Sequence, residues 1–212
     1  MRYERKYRIE GSAYWEVYQV LISHPMSIVD LYPDRTIHNI YFDTEDLVTY
    51  QSNVDGDFHR KKFRVRWYGE DVNAVTSPNL EIKIKQGELG SKKVSPVEVF
   101  SLKEISGLSQ CVGDRLQAIY NPIPVLLNSY KRSYLTTPDR KFRITIDWDL
   151  KYHSLLTGGE FVNHSAEENC VVVELKYDQE YEMEVEHIAK YLPFRISKNS
   201  KYVNGVNLTM SV

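Results

Sequence analysis

The segment 80–87, LEIKIKQG, alternates apolar and charged residues from Leu80 to Lys85. Because successive side chains of a β-strand point to opposite faces, a strand here would have one apolar face and one charged face. The apolar residues are Leu80, Ile82 and Ile84, and the charged residues are Glu81, Lys83 and Lys85. Alternation of this kind, with aromatic and β-branched residues, predicts strands at 2–9, 37–43, 59–69, 79–87, 97–100, 125–137, 141–155 and 170–178. The chain therefore favours a large, mostly antiparallel sheet.

Helical signals are fewer. Apolar spacing and capping residues predict helices at 12–23, 101–112 and 181–192, and the segments 69–79 and 157–169 have the composition of loops. The fold class predicted is α+β with β dominant, since helices interrupt the sheet instead of alternating with every strand. A length of 212 residues suits a single domain over 1–212.

Composition limits the partners. The 27 basic and 29 acidic residues leave a formal charge of −2, so no global field draws the chain to nucleic acid, and any anion site must be local. Only Cys111 and Cys170 are present, without metal-ligand spacing, which favours a reducing compartment, and we expect a cytoplasmic protein. No apolar run approaches the roughly 20 residues of a membrane span.

Charged strand faces recur along the sequence, with Arg or Lys beside Glu at alternate positions. They are Arg2, Glu4 and Lys6; Arg64 and Arg66; Arg143, Thr145 and Asp147; and Glu174 and Lys176, with Arg132 in YKRSY. For one strand, a solvent-exposed face explains the pattern. Taken together, the strands favour a closed antiparallel β-barrel with its charged faces inward and its helices outside. Such a basic tunnel needs a polyanion, and phosphate chains suit Arg forks, Lys point charges and carboxylates that hold a divalent metal.

The ordered segments ERKY (4–7), RKKFRVRWYG (60–69), LEIKIKQG (80–87), YKRSYL (130–135), FRITIDWDL (142–150), VVELKY (172–177) and SKYVNGV (200–206) resemble a known family. The chain is similar to the VTC domain, the polyphosphate polymerase branch of the triphosphate tunnel metalloenzymes. The resemblance implies a β-barrel tunnel that binds ATP with Mn²⁺ or Mg²⁺. It also implies transfer of the terminal phosphoryl group to a growing polyphosphate chain.

The same resemblance implies roles for individual residues. Matched position by position, the phosphate-binding residues are Lys6, Arg64, Arg66, Lys83, Arg132, Arg143 and Lys201, of which Arg64, Arg66, Lys83 and Lys201 carry catalytic roles. Glu174 matches the metal-binding glutamate. Further lining residues are Lys85, Lys176, Ser200 and Tyr130. Glu4 and Glu81 either help to bind the metal or fix neighbouring cations by ion pairs. In RISKNSKYVNG, Lys198 is an alternative to Lys201, but an aromatic residue and a glycine follow Lys201 at the family's spacing.

One departure bears on the activity. The hydrolase branch begins with a Glu-x-Glu-x-Lys strand, whereas this chain has RYERK, with Arg2 in place of the first glutamate. The loss of a carboxylate makes a water-activating two-metal site less favourable and favours the polymerase. The alternatives are a metal-dependent inorganic or nucleoside triphosphatase and a non-catalytic polyphosphate-binding module. The expected partners are ATP and inorganic polyphosphate or pyrophosphate, without nucleic acid. A separate membrane-protein partner and the oligomeric state stay open.

Overall fold

The computed structural model describes residues 2–87, 89–116, 122–156 and 165–210. The strands are β1 (Arg2–Glu10), β2 (Val29–Asp43), β3 (His59–Tyr68), β4 (Asn79–Gln86), β5 (Leu89–Pro96), β6 (Ile123–Thr136), β7 (Phe142–Ser154), β8 (Ser165–Glu168) and β9 (Cys170–Asp178). The helices are α1 (Tyr14–Ile22), α2 (Val48–Asp55), α3 (Ile105–Leu116), α4 (Glu186–Ala189) and α5 (Lys201–Thr209), with 3₁₀ turns at Leu102–Glu104 and Gln179–Tyr181. Among the described helices, none has the length and apolar character needed to cross a membrane.

The strands form one sheet in the hydrogen-bonded order β1-β9-β7-β6-β2-β3-β4-β5, with β8 paired to β7. Antiparallel registers join β1 to β9, β7 to β9, and β2 through β5 in succession. The α+β, β-dominant class is therefore confirmed. In the described part of the chain, β1 and β5 stand at the two ends of the order and hydrogen bonds do not close the sheet, so the closed barrel stays a prediction.

The predicted strand at 97–100 is wrong. The strand of this region is β5, which pairs with β4 as far as the Pro96–Asn79 register. Asn79 is the first residue of β4, so the chain beyond Pro96 has no further partner in that strand. The apolar residues of VEVF serve the core instead: Val97 is buried, and Phe100 packs against the same cluster.

Other boundaries also differ from the sequence predictions. The segment 181–192 contains only the short helix α4, preceded by a 3₁₀ turn, because its residues from 182 to 185 form turns. Helices α2 and α5 were not predicted. The predicted loop at 157–169 contains β8, while 157–164 lies outside the described residues.

The chain divides into two compact units. Unit 1 comprises the described residues of 1–35, 130–150 and 168–199. In its core, Val173 and Leu175 of β9 pack with Val17 of α1 and Ile188 of α4. Helices thus cover the apolar face of these strands, and the opposite face carries Glu174 and Lys176.

Unit 2 comprises the described residues of 36–129, 151–167 and 200–212. Leu80 of LEIKIKQG is 1% exposed and packs with Val65 of β3 and Val112 of α3, so the predicted apolar face of β4 is confirmed. Gly205 of α5 is tightly enclosed, because a Cβ there would overlap the side chains of Leu126 and Tyr152. Close packing therefore explains the glycine of SKYVNG.

Candidate functional site

Unit 1 gathers charged side chains on one face of its strands. The register places Lys6 opposite Glu174, Glu4 opposite Lys176, Arg143 opposite Lys176, and Thr145 opposite Glu174. Directly opposed residues of an antiparallel pair share a face. We call this set, with Arg132 and Asp147, the Glu174 cluster. Apart from Arg2, which lies opposite Asp178, the unit 1 residues named from the charged pattern therefore belong to one cluster.

Glu174 is the centre of this cluster. Its carboxylate lies 2.6 Å from Lys176 Nζ, 3.5 Å from Lys6 Nζ and 3.6 Å from Arg132 Nη2. Only 7% of the residue is exposed. A buried carboxylate needs opposite charge nearby, since desolvation of an isolated ion is costly. Glu174 is thus a buried carboxylate held among three cations.

Arg132 is fixed by Asp147. Its Nε lies 2.5 Å from Oδ1 and its Nη2 donates to Oδ2 at 2.7 Å, a two-pronged contact with a fully buried carboxylate. Burial alone would lower the pKa of Arg132. Negative charge and hydrogen bonding, chiefly from Asp147, act in the opposite direction and together raise this pKa well above its usual value. The guanidinium also lies 5.4 Å from the ring centroid of Tyr130. Arg132 is therefore charged and held in one orientation.

The lysines of the cluster are partly accessible. Lys6 Nζ donates to the Asn199 carbonyl at 3.1 Å and lies 3.6 Å from a Glu4 oxygen, while Lys176 Nζ lies 3.9 Å from the same oxygen. Arg143 is exposed. Arg143 and Lys176 line a cavity of about 170 Å³, whose other charged lining residues are Arg140, Lys141, Asp139 and Asp178. An anion can reach the cations of this pocket from solvent.

Unit 2 contains a second cluster, which we call the Glu81 cluster and which consists of Arg64, Arg66, Glu81, Lys83, Lys85 and Lys92. Arg64 donates from Nε at 2.8 Å and from Nη2 at 2.5 Å to Glu81 Oε2, and Lys92 Nζ donates to Oε1 at 2.9 Å. Arg66 Nη1 lies 3.9 Å away. Burial acts against ionisation of Glu81, but Arg64, Arg66 and Lys92 together lower its pKa to about 2. The two Glu81 oxygens are thus engaged by cations, which favours the ion-pair role over a metal role.

The remaining predicted residues of unit 2 differ in accessibility. Lys83 is exposed and Lys85 is partly buried. Ser200 caps α5 by accepting from the Val203 amide, and it also accepts from Lys62 Nζ at 2.7 Å. Lys201, the first residue of α5, is only 8% exposed. Ser200 is therefore held by a cation of β3, and Lys201 is fixed by burial at a helix start.

Burial argues against an ordinary solvated sheet face. Glu174, Asp147, Glu81 and Arg66 are each below 8% exposed, although they lie on the charged faces of their strands. A face that merely contacts water would leave such groups exposed. These charged groups are thus buried within their units, and the inward-facing barrel that the sequence pattern favoured stays a prediction.

Sequence reasoning missed two charged residues and one amide, and it placed Asp147 on a charged face without giving it a role in the site. Asp147 shares its strand face with Arg143. Its ion pair with Arg132 joins two different strands, so no pattern within one segment of the sequence indicates it. Lys62 alternates with Arg64 and could have been included, whereas Lys92 lies on a strand that was not predicted. Arg66 Nε donates to Asn39 Oδ1 at 2.8 Å, a contact with β2 that only the sheet register reveals.

The donor set of the described residues limits how a metal can bind. No group of three or more His, Cys, Asp or Glu side chains in the described ranges could hold a metal ion. Glu174 offers a buried carboxylate, with Glu4 near the same lysines. Mg²⁺ and related ions commonly bind through one or two carboxylates, substrate phosphates and water. The residues therefore fit a divalent ion that shares its coordination with phosphate oxygens, and they do not form an all-protein cage.

Glu81 gives a prediction about acid stability. Its folded-state pKa of about 2 lies below the roughly 4.3 of an unfolded glutamate. The unfolded state therefore binds more protons as the pH falls, and the stabilisation, about 3 kcal/mol, is present above pH ~4.3 and is lost as the pH falls toward 2. Urea unfolding between pH 7 and 2 should show a shallower pH dependence for Glu81→Gln than for the wild type. The exposed Glu98→Gln is the control and should follow the wild type; equal slopes for Glu81→Gln and wild type would contradict the prediction.

The sequence model of the VTC domain matches residues 1–210. A candidate adenylate cyclase from Vibrio parahaemolyticus has a similar structure, with 11% identity, 95% of this chain and 97% of that chain covered, and a TM-score of 0.55. The PH1819 protein of Pyrococcus horikoshii has 13% identity and a TM-score of 0.52, with 95% of this chain and 95% of that chain covered. A candidate adenylyl cyclase from Hippeastrum has 14% identity and a TM-score of 0.51, with 97% of this chain and 96% of that chain covered. A dominant triphosphatase activity is described for that protein. At these identities the likeness concerns the fold alone, and no curated protein matches the sequence.

Proposed function

The chain belongs to the VTC domain family, and from that membership we propose that it is an ATP-dependent polyphosphate polymerase. The observation that carries the proposal is the buried Glu174 among Lys6, Arg132 and Lys176. The terminal phosphoryl group of ATP is transferred to the end of an inorganic polyphosphate chain. One P–O bond to the β-phosphate breaks, one forms to the terminal oxygen of the chain, and ADP leaves.

Each cluster has the chemistry to bind phosphate. Arg132 presents a fixed guanidinium, and Lys6 and Lys176 add point charges, so phosphate oxygens could replace part of their contacts with Glu174. In unit 2, Arg64, Arg66, Lys83, Lys85 and Lys201, with Ser200, are the proposed ligands, and Arg143 in unit 1 is the most accessible one. Glu81 positions Arg64 and Arg66 in this scheme. Binding and orientation of charged oxygens supply most of the acceleration in phosphoryl transfer, so no general base is required.

Glu174 is the proposed ligand of a divalent ion, with Glu4 as the nearest additional carboxylate. Mn²⁺ or Mg²⁺ bound there with the triphosphate would offset negative charge on the phosphoryl oxygens during transfer. Lys6 and Lys176 then serve two purposes: they form ion pairs with the Glu174 carboxylate, and they bind oxygens of the same phosphate chain. The proposal thus uses Lys6, Arg132 and Lys176, which all lie within 4 Å of Glu174.

A metal-dependent triphosphatase is the second candidate. The observation in its favour is the triphosphatase activity described for the Hippeastrum protein of similar fold. Arg2 at the position of a hydrolase glutamate argues against it, because a two-metal site would have one carboxylate fewer. A polyphosphate-binding module without turnover is the third, since the same cations would bind a polyanion without catalysing transfer.

Product analysis separates these functions. The purified protein is incubated with γ-labelled ATP and Mn²⁺ or Mg²⁺, with and without a short polyphosphate primer, and the products are resolved on a gel. A ladder of labelled chains is the expected result. Label found only in orthophosphate would identify the triphosphatase, and saturable polyphosphate binding without turnover would identify the binding module. Either of these outcomes overturns the polymerase proposal.

A further inference from the structure

Unit 1 contains a larger cavity that the proposed activity does not use. It has a volume of about 430 Å³ and lies between the first turns of α1 and the start of β2. Four aromatic residues and two carboxylates line it: Tyr14, Trp15, Tyr18, Tyr32, Asp30 and Asp34. None of them belongs to the Glu174 cluster. No lysine or arginine is among its described lining residues, so its charge is opposite to that of a phosphate site.

The aromatic residues of this cavity are held in place by contacts between their rings. Tyr14 stacks on Trp148 with ring centroids 4.0 Å apart and contacts Trp15 at 4.9 Å. Trp15 meets Tyr18 edge to face at 6.2 Å. Even so, Trp15 is 67% exposed and Tyr32 is 55% exposed. The rings are therefore ordered by one another while offering large faces to solvent, and such faces attract cations.

The two carboxylates are also held in place. Asp30 accepts from the Tyr18 hydroxyl at 2.9 Å, and Asp34 accepts from the Ser133 hydroxyl at 2.7 Å. Ser133 in turn shares a hydrogen bond with the Tyr14 hydroxyl at 2.8 Å. Within the described ranges, the structure gives neither carboxylate an ion pair with a lysine or arginine. Two negative charges thus lie beside aromatic faces, and among the described residues Arg35, which contacts Tyr32, forms no ion pair with Asp30 or Asp34.

We propose that this cavity binds a primary alkylammonium group. The ammonium would donate hydrogen bonds to the carboxylates of Asp30 and Asp34, and its methylene chain would cover Trp15 and Tyr32. A quaternary ammonium could use the rings but has no N–H for the carboxylates. Anionic nucleotides are disfavoured by the same two charges. Tyr32 already contacts a cation of the chain, since the Arg35 guanidinium lies 6.0 Å from its ring centroid.

Calorimetric titration at low ionic strength tests this proposal, with tryptophan fluorescence as a second signal because Trp15 lines the cavity. The probes are spermidine, N-acetyl-lysine methylamide and tetramethylammonium. We expect saturable binding of an amine at least about tenfold tighter than that of tetramethylammonium. Spermidine as the tightest probe would identify a free polyamine as the source, and the lysine amide would identify a lysine side chain of a peptide.

Variants decide whether binding occurs at this cavity. Asp30→Asn/Asp34→Asn removes both charges but keeps acceptors for Tyr18 and Ser133, and it should weaken amine binding at least about tenfold. Trp15→Ala should also weaken it. The matched control is Asp46→Asn/Asp57→Asn, which removes two exposed carboxylates of unit 2 and should bind like the wild type. The proposal fails if both double variants bind the amine equally, or if tetramethylammonium binds as tightly as spermidine. These titrations contain no ATP, so they are independent of the polymerase assay.

Discussion

Glu174→Gln is expected to reduce phosphoryl transfer by at least about 10²-fold while polyphosphate binding is retained or tightened. The amide preserves the shape of the side chain but removes the charge that would hold a divalent ion. It also removes the anion that Lys6, Arg132 and Lys176 contact, which leaves these cations with more net positive potential for a polyanion. Turnover of γ-labelled ATP and calorimetric titration with polyphosphate measure the two effects separately.

The control for Glu174→Gln is Glu186→Gln in the same unit. Glu186 is exposed and contacts Arg5 at 2.7 Å, so its loss also removes one glutamate from an ion pair. We expect it to have wild-type turnover and binding. Wild-type turnover in Glu174→Gln would show that Glu174 is not needed for the metal, and a parallel loss of binding and turnover would point to a collapsed cluster. A selective loss of turnover is the outcome that supports the assigned role.

Alternation along single strands was the most informative feature of the sequence. The side-chain period of two is a local property, so Leu80 could be assigned to the core and Glu174 to the charged face without knowledge of the sheet. Both assignments agree with the structure, in which Leu80 packs with Val65 and Glu174 lies opposite Lys6. The antiparallel class followed from the same pattern.

Contacts between distant segments could not be derived in this way. Lys62 donates to Ser200, and Lys6 donates to the Asn199 carbonyl, across separations of 138 and 193 residues. Local periodicity contains no information on such pairings. The strand β5 was missed for a related reason: LGSKKVSP has few apolar residues, and its pairing with β4 decides its structure. Lys92 consequently escaped notice, although it contacts Glu81.

The Arg132–Asp147 pair gives the largest expected change in stability. Asp147→Asn should destabilise the fold by about 3–5 kcal/mol, because it leaves Arg132 charged and buried without its main partner. Glu174, 3.6 Å from Arg132 Nη2, compensates only in part because it also contacts two lysines. Urea unfolding at neutral pH measures the effect. Asp46→Asn, which removes an exposed carboxylate, should change the unfolding free energy by no more than about 0.5 kcal/mol.

A double variant separates charge from packing at this pair. Arg132→Met/Asp147→Leu removes both charges and keeps apolar volume, so it should recover most of the stability lost in Asp147→Asn. Equal instability of the two variants would mean that shape, and not an unpaired charge, accounts for the loss. If the double variant is stable, its polyphosphate affinity becomes informative, because it lacks the fixed guanidinium. A stable protein with weakened polyphosphate binding would show that the Arg132 guanidinium contributes to anion binding and that the pair adds little to the stability of the fold.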